Sequence, residues 1–401
     1  MKIIFCAYMF PDLESDLKKM KTPPSVSAHL FQKNLIRGLL ENESDVEVVN
    51  VPRLRYFPHY PQIAIPETKF SAVENARGRN IPFFNLFPLN YLTQRRLLRR
   101  ALEEAVERAD ERRVVLINYN MYWPVVQAMM DVKRKRPNVT LCGFVGDIHG
   151  KYGVINAGGL RETIRRAVIG GFTGRADSVT SQFDCFAVHT VPMAEALGVL
   201  DKPYAVIDCL FNDVTEFSPG EVAPKSVFYA GGLREDYDIE HLLRAFGMIP
   251  DSEYRLEIAG SGDAVPMVCA AAERDSRIRF LGVLPPKEVA ERQRKACVLV
   301  SPRKAGHPYV PYSFPSKTVE CLASGNLFVA HRLPCVSSEY DAYIRYSDDE
   351  SDEALSRKIM ECCEIPPEER EKIGRASREF ILRRKSAKAQ CARLLDMLQT
   401  L

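Results

Sequence analysis

The chain has 401 residues, 46% of them apolar and 27% charged, enough to bury the cores of two ordinary domains. Its 55 Lys+Arg against 52 Asp+Glu leave a net charge of +3, too balanced for a polybasic nucleic-acid binder, so no nucleic-acid partner is expected. No run approaches the ~18 consecutive apolar residues of a membrane span, the opening MKIIFCAYMF lacks a signal-peptide cleavage site, and the 11 cysteines are scattered without a C-x-x-C pair, as in a cytoplasmic protein with reduced, packed thiols.

In chain order, Lys2–Tyr8 reads as a strand and Leu30, Phe31, Leu35, Leu39 and Leu40 mark a helix. Val46–Val51 is a second strand. Leu54–Asn90 is rich in proline and aromatics and has little periodicity, so it is either a functional insert or a flap packed on its domain. A charged amphipathic helix follows over Tyr91–Arg112, then a strand at Val114–Ile117, a helix over Trp123–Arg134 and a strand at Leu141–Val145. His189 lies in a strand-like run and is expected to be a satisfied core residue. Phe211–Lys225, with Asn, Asp, Pro and Gly, reads as a linker.

The rhythm then restarts, with strands at Val227–Ala230, Tyr254–Ile258, Ile278–Leu281, Val298–Ser301 and Leu327–Ala330 alternating with helices over Ile239–Phe246, Val265–Glu273, Pro286–Lys295 and Pro315–Ser324. Asp352–Leu401 is almost wholly helical. Short apolar runs alternating with helices mean parallel sheets covered on both faces. The expected fold is α/β: two Rossmann-like, doubly wound parallel-sheet domains facing a cleft.

In such sheets ligands bind beyond the carboxyl ends of the strands. Gly231-Gly232-Leu233-Arg234 follows the first strand of the second half, and the tight loop Gly260-Ser261-Gly262 follows the next. These could admit a phosphate to the backbone, with Arg234 adding charge. Arg303 and Lys304 follow a third strand and could neutralise a diphosphate, with His307 close by. Ser313-Phe314-Pro315-Ser316-Lys317 opens a helix, with Ser313 read as its N-cap and Gly325 as its close. That N-terminus suits an anion, and Glu320, further in, could reach ribose hydroxyls. Asp348-Asp349 lies in a polar segment and no Asp-x-Asp motif follows a strand, so no metal and no cofactor are expected.

These segments resemble the nucleotide-sugar domain of retaining GT-B fold glycosyltransferases, in the large family four (group 1 type) that includes bacterial polysaccharide and capsule enzymes. The carriers are FYAGGLRE, IAGSGD, RIRFLGVLP, LVSPR and YSFPSKTVECLASG, in the family's order, with FVGDIHGKY, DCFAVHTVPMAEALGV and KPYAVIDCLFN in the first half. The resemblance implies an acceptor domain at residues 1–210, a linker at 211–225, a donor domain at 226–384, and a terminal helix at 385–401 packing back on the first domain. It implies that Gly231, Gly232, Arg234, Gly260, Gly262, Arg303, Lys304, Ser313, Phe314, Pro315, Ser316, Lys317 and Glu320 hold the donor. Asp147 and His149 would stand near the sugar as catalytic residues. The family often has two Glu eight positions apart; Glu320 fits the second and Tyr312 stands at the first.

The activity so implied is metal-independent, retaining transfer from a UDP- or GDP-sugar to a glycan or lipid-linked glycan, at the cell envelope. A nucleotide-sugar epimerase and a non-catalytic nucleotide-sugar binding subunit are the alternatives. Between Asn90 and Arg175, 16 Lys+Arg face 8 Asp+Glu. Such a basic stretch could meet an anionic membrane peripherally, at its inner face, or form ordinary solvated helix faces.

Overall fold

The computed structural model describes residues 1–21, 26–110, 112–146, 148, 180–212 and 222–401. They form two compact units, one of Met1–Leu210 with Ala387–Leu401, the other of Phe211–Ser386.

In the first unit the strands are β1 (Lys2–Ala7), β2 (Asp45–Asn50), β3 (Ala64–Ile65), β4 (Thr68–Phe70), β5 (Arg77–Asn80), β6 (Phe83–Phe84), β7 (Val114–Tyr119), β8 (Thr140–Val145), β9 (Cys185–Val188) and β10 (Tyr204–Val206). The main sheet runs β10-β9-β8-β7-β1-β2-β5-β4 and is parallel except for β4 against β5. β7 is buried at every residue, as a central parallel strand covered on both faces must be. The Pro-rich insert is partly ordered into strands. It contributes β4 and β5 to the sheet, pairs β3 with β6, and packs Tyr60, Ile65 and Phe83 on Phe10 and Met20.

The terminal helix Ala387–Gln399 lies against the helix Ser27–Glu41. Gly38 makes the close approach, since a β-carbon there would stand 2.3 Å from the Ala387 carbonyl oxygen.

The second unit has β11 (Ser226–Gly232), β12 (Arg255–Ser261), β13 (Ile278–Phe280), β14 (Val298–Ser301), β15 (Leu327–Ala330) and β16 (Ile344–Tyr346). Their order, β13-β12-β11-β14-β15-β16, is the doubly wound 3-2-1-4-5-6 arrangement, all parallel. The helix Ile239–Gly247 buries an apolar stripe of Ile239, Leu242, Ala245 and Phe246. No described helix is long and apolar enough to cross a membrane.

Candidate functional site

The strand order reverses between β11 and β14, so the crevice outside their carboxyl ends is the topological switch point of the second sheet. Gly231 and Gly232 end β11 and pair with Gly260 and Ser261 of β12. Gly260 and Gly262 take φ of +147° and +157°, and a β-carbon would lie 1.8 Å from the Gly231 oxygen and 2.0 Å from the Leu233 oxygen respectively. Only glycine fits there. The space above Gly232 is taken by Tyr237, whose ring lies 3.1 Å from where a β-carbon would be.

Arg303, two residues beyond β14, lays its guanidinium 4.5 Å from the Tyr237 ring centre and 5.5 Å from that of Tyr309. Its Nη1 is buried with no hydrogen-bond partner among the described residues. A buried, unsatisfied guanidinium donor is costly, so an anion at this point would be strongly favoured. Arg234 reaches the same ring at 5.4 Å, but it is held by Asp236 through two 2.7 Å hydrogen bonds. Its charge is therefore partly met inside the protein.

The Lys304 backbone N–H donates to Asp238 Oδ2 at 2.8 Å, and His307 Nε2 lies 2.8 Å from the same oxygen. Asp238 occupies the left-handed region at φ +59°, which turns the chain from the Glu235–Tyr237 turn into the next helix. Its carboxylate thus braces the loop that carries Arg303.

The helix begins at Ser316, not earlier, and runs to Ala323 with Pro315 at its N-cap and no side-chain cap. Ser313 does not cap it. A single 3-10 turn, Val310–Tyr312, intervenes, and Ser313 ends that turn by donating its N–H to the Val310 carbonyl. Gly325, at φ +79°, follows the C-cap Ser324. Phe314 packs its ring 5.5 Å from that of buried Tyr340.

Lys317 Nζ and Glu320 Oε2 form a 2.6 Å ion pair at the helix surface. Both side chains line a pocket of about 710 Å³ whose other walls include Leu284, Pro286, Arg294 and Arg378. The second unit thus brings together Gly231, Gly232, Arg234 and Arg303 at the switch point, and Lys317 with Glu320 at the pocket. Asp147 and His149 lie outside the described residues. Among the described residues no three His, Cys, Asp or Glu side chains are gathered to hold a metal.

The first sheet reverses between β1 and β7. There Tyr8 and Tyr122 stack with ring centres 4.2 Å apart. Gln32 clamps the Tyr8 backbone at 2.9 and 3.0 Å, and Tyr122 Oη donates to Gln94. Asn120 and Met121 both take positive φ as the chain leaves β7. Arg53, after β2, stands 5.9 Å from the Tyr8 ring with its Nη1 buried and without a hydrogen-bond partner among the described residues. Sequence reading missed this group because its members come from strands far apart in the chain. The only signal was their shared position just beyond strand ends.

His189 Nδ1 sits 2.8 Å from the Ile207 carbonyl oxygen, with Phe31 and Phe144 around its ring. The basic stretch is extensively paired. Arg95 and Arg134 meet Asp131, Arg99 and Lys135 meet Glu103, and Lys133 meets Asp184. Arg165 and Arg166 lie outside the described residues.

Residues 215–380 match the family described as Glycosyl transferases group 1. No curated protein sequence matches the chain. Among solved structures it is similar to sucrose-phosphate synthase from Thermosynechococcus elongatus, at TM-score 0.58 and 16% identity over 100% of this chain and 99% of that one. It is also similar to a TarM variant of S. aureus in complex with fondaparinux, alpha-GlcNAc-glycerol and UDP, at TM-score 0.59 and 12% identity over 99% of each. A third is Anabaena HepE in complex with UDP and glucose, at TM-score 0.61 and 12% identity over 100% of each. These likenesses establish the fold: two Rossmann-like units of the GT-B class.

Proposed function

We propose that the chain is a glycosyltransferase that takes a sugar from a nucleoside diphosphate sugar, UDP- or GDP-linked, and passes it to a glycan or lipid-linked glycan with retention and without a metal. The observation that carries this reading is Arg303: a guanidinium at the switch point, stacked on Tyr237, with a buried donor that has no hydrogen-bond partner among the described residues. The group 1 match over residues 215–380 supports the same assignment. So does the UDP in the S. aureus and Anabaena structures.

In this reading the diphosphate lies against Arg303, and the N-terminus of the Ser316–Ala323 helix, which has no side-chain cap, adds positive potential. Lys304 and Lys317 add charge nearby, and Glu320 takes the ribose hydroxyls. Stabilising the leaving diphosphate lowers the barrier to an oxocarbenium-like transition state. The leaving phosphate then assists attack by the acceptor on the same face. The acceptor binds the first unit at the Tyr8–Tyr122 stack and Arg53, and Asp147 and His149 serve as the catalytic residues. The protein works in the cytoplasm.

A thermal-shift screen over nucleoside diphosphates and their sugars tests the donor, because a ligand of the native state raises its stability. The reading expects a shift with UDP or GDP sugars that Arg303→Ala reduces. No shift with any of them, or an inverted product by NMR, would overturn it.

A further inference from the structure

The first unit carries an exposed apolar face that neither switch point uses. Phe57, Ile63, Phe84, Leu89 and Leu92 are each between 39% and 57% exposed. Single exposed apolar residues are ordinary, but a gathered set marks an interaction surface. Buried Asn85 brings the first three together. Its N–H donates to the Ile63 carbonyl, its Nδ2 donates to the carbonyls of Arg55 and Gln62, and its own carbonyl accepts the Phe57 N–H. Beside it, the Phe84 N–H donates to Thr93 Oγ1, which in turn donates to the Leu89 carbonyl. The end of β6 is thus fixed to the first turns of the helix Leu89–Glu107. Ile65 and Phe83 point inward onto Phe10, and the alternation along β6 leaves Phe84 outward.

The helix continues this face with cations. Leu89, Leu92, Arg96 and Arg100 follow at three- and four-residue steps and are all exposed, while Gln94, Leu98 and Leu102 are buried on the other side. Leu89–Leu102 contains four arginines and no carboxylate. Arg95 is paired with Asp131 and Arg99 with Glu103, but Arg96 and Arg100 make no ion pair among the described residues. The first carboxylates of the helix, Glu103 and Glu104, are taken by Lys135 and Arg79. Arg96 lies about 6 Å along the axis from Leu92. That step matches the passage from acyl chains to headgroup phosphates, where an interfacial helix buries its apolar face by ~5–10 Å. A protein partner would need carboxylates set against both arginines, whereas an anionic leaflet supplies negative charge all round.

We propose that this face docks the first unit on an anionic lipid bilayer. Phe84, Leu89 and Leu92, flanked by Phe57 and Ile63, enter the boundary between headgroups and acyl chains, and Arg96 and Arg100 meet lipid phosphates. The cations that act are these two, not the paired remainder of the basic stretch. The proposal concerns the first unit alone and does not rest on the donor reading.

The test is sedimentation of the full chain with sucrose-loaded vesicles of phosphatidylcholine, with and without one third phosphatidylglycerol. Binding to the anionic vesicles is expected, weakening with salt, and little binding to phosphatidylcholine alone. Arg96→Gln with Arg100→Gln should reduce binding on the order of tenfold or more, at about fivefold per charge. Phe84→Ser with Leu92→Ser should abolish it even at low salt while leaving the melting temperature unchanged, since both side chains are exposed. Arg279→Gln with Arg375→Gln removes the same charge from exposed positions of the second unit and should bind like wild type. No binding to anionic vesicles at low salt would overturn the proposal. So would binding that the serine variant retains, or an equal loss in the second-unit control. A dimer in light scattering that the same serines disperse would assign the face to a second copy of the chain and overturn it too.

Discussion

The Nε2 atoms of His241 and His331 lie 2.8 Å apart, in a buried chain that starts at Asp352 and ends at Ser347. Asp352 is paired with Arg244 and accepts from His241 Nδ1. His241 Nε2 then accepts the proton of His331 Nε2, and His331 Nδ1 accepts from Ser347 Oγ at 2.5 Å. Every atom is satisfied with both rings neutral. An extra proton on His241 Nε2 would point at the His331 N–H.

The chain makes stability depend on pH. Burial holds His331 down to about 4, with His241 and Lys304 acting in the same sense, and Glu350 and Asp238 opposing. His241 is also lowered, chiefly by burial, although Asp352 opposes this. Unfolded histidine binds its proton near pH ~6.5, so the unfolded state holds more protons below that point. The contribution of His331 is therefore complete above pH ~6.5 and is lost as pH falls towards about 4, up to about 3 kcal/mol. Urea denaturation at a series of pH values should show this slope, and His331→Gln should flatten it.

Arg303→Ala should weaken UDP or GDP binding by about 10- to 100-fold, the range of a lost charge-assisted hydrogen bond. Arg303→Lys should recover little of it. An ammonium cannot lie flat on the Tyr237 ring 4.5 Å away while offering a second donor to phosphate. Calorimetric titration with the free nucleotide checks both variants without needing the acceptor.

Glu320→Gln separates binding from stability. Its ion pair with Lys317 leaves the two side chains 42% and 40% exposed, so breaking it should cost less than about 1 kcal/mol. Nucleotide affinity should fall about tenfold if the carboxylate holds ribose. Wild type should prefer UDP to its 2′-deoxy or 3′-deoxy analogue, and the variant should lose that preference. A melting curve and two titrations measure the three quantities.

The strand–helix alternation was legible because strands buried on both faces appear as unbroken apolar runs, as in Val298–Ser301 and Leu327–Ala330. β5 was not, since Arg77-Gly78-Arg79-Asn80 holds no apolar residue. It is a strand because its backbone pairs with β2 and β4, while Arg79 reaches Glu104 and Glu67. The carboxyl-edge rule located Gly231 and Arg303. It could not locate Tyr237, whose position depends on Asp238 entering the left-handed region. Ser313 was misread because a hydroxyl two residues before Pro315 looks like a cap. The helix in fact starts at Ser316 with Pro315 at the cap position, which leaves the Ser313 hydroxyl two residues too early to accept from its first N–H groups.

Gly262→Ala tests whether the tight loop after β12 is built by backbone contact. Its φ of +157° is unfavourable to an L residue, and the added methyl would sit 2.0 Å from the Leu233 oxygen. Neither atom is the end of a flexible side chain, so relief requires the β11 and β12 ends to separate. Leu233 donates to the Ser261 oxygen at 2.9 Å, and Ala264 donates to the Leu233 oxygen at 2.9 Å. Separation would therefore break hydrogen bonds at a sheet end whose Leu233 and Ala264 side chains are buried. The expected loss is about 3 kcal/mol or more, in the range of severe overpacking combined with backbone strain. Gly247→Ala, where a β-carbon meets nothing within 4 Å, is the control and should leave stability unchanged or slightly raised. Thermal denaturation of the two variants beside wild type measures the difference. If the Gly262 variant melts like the control, the loop yields at little cost and its glycines are not set by this contact.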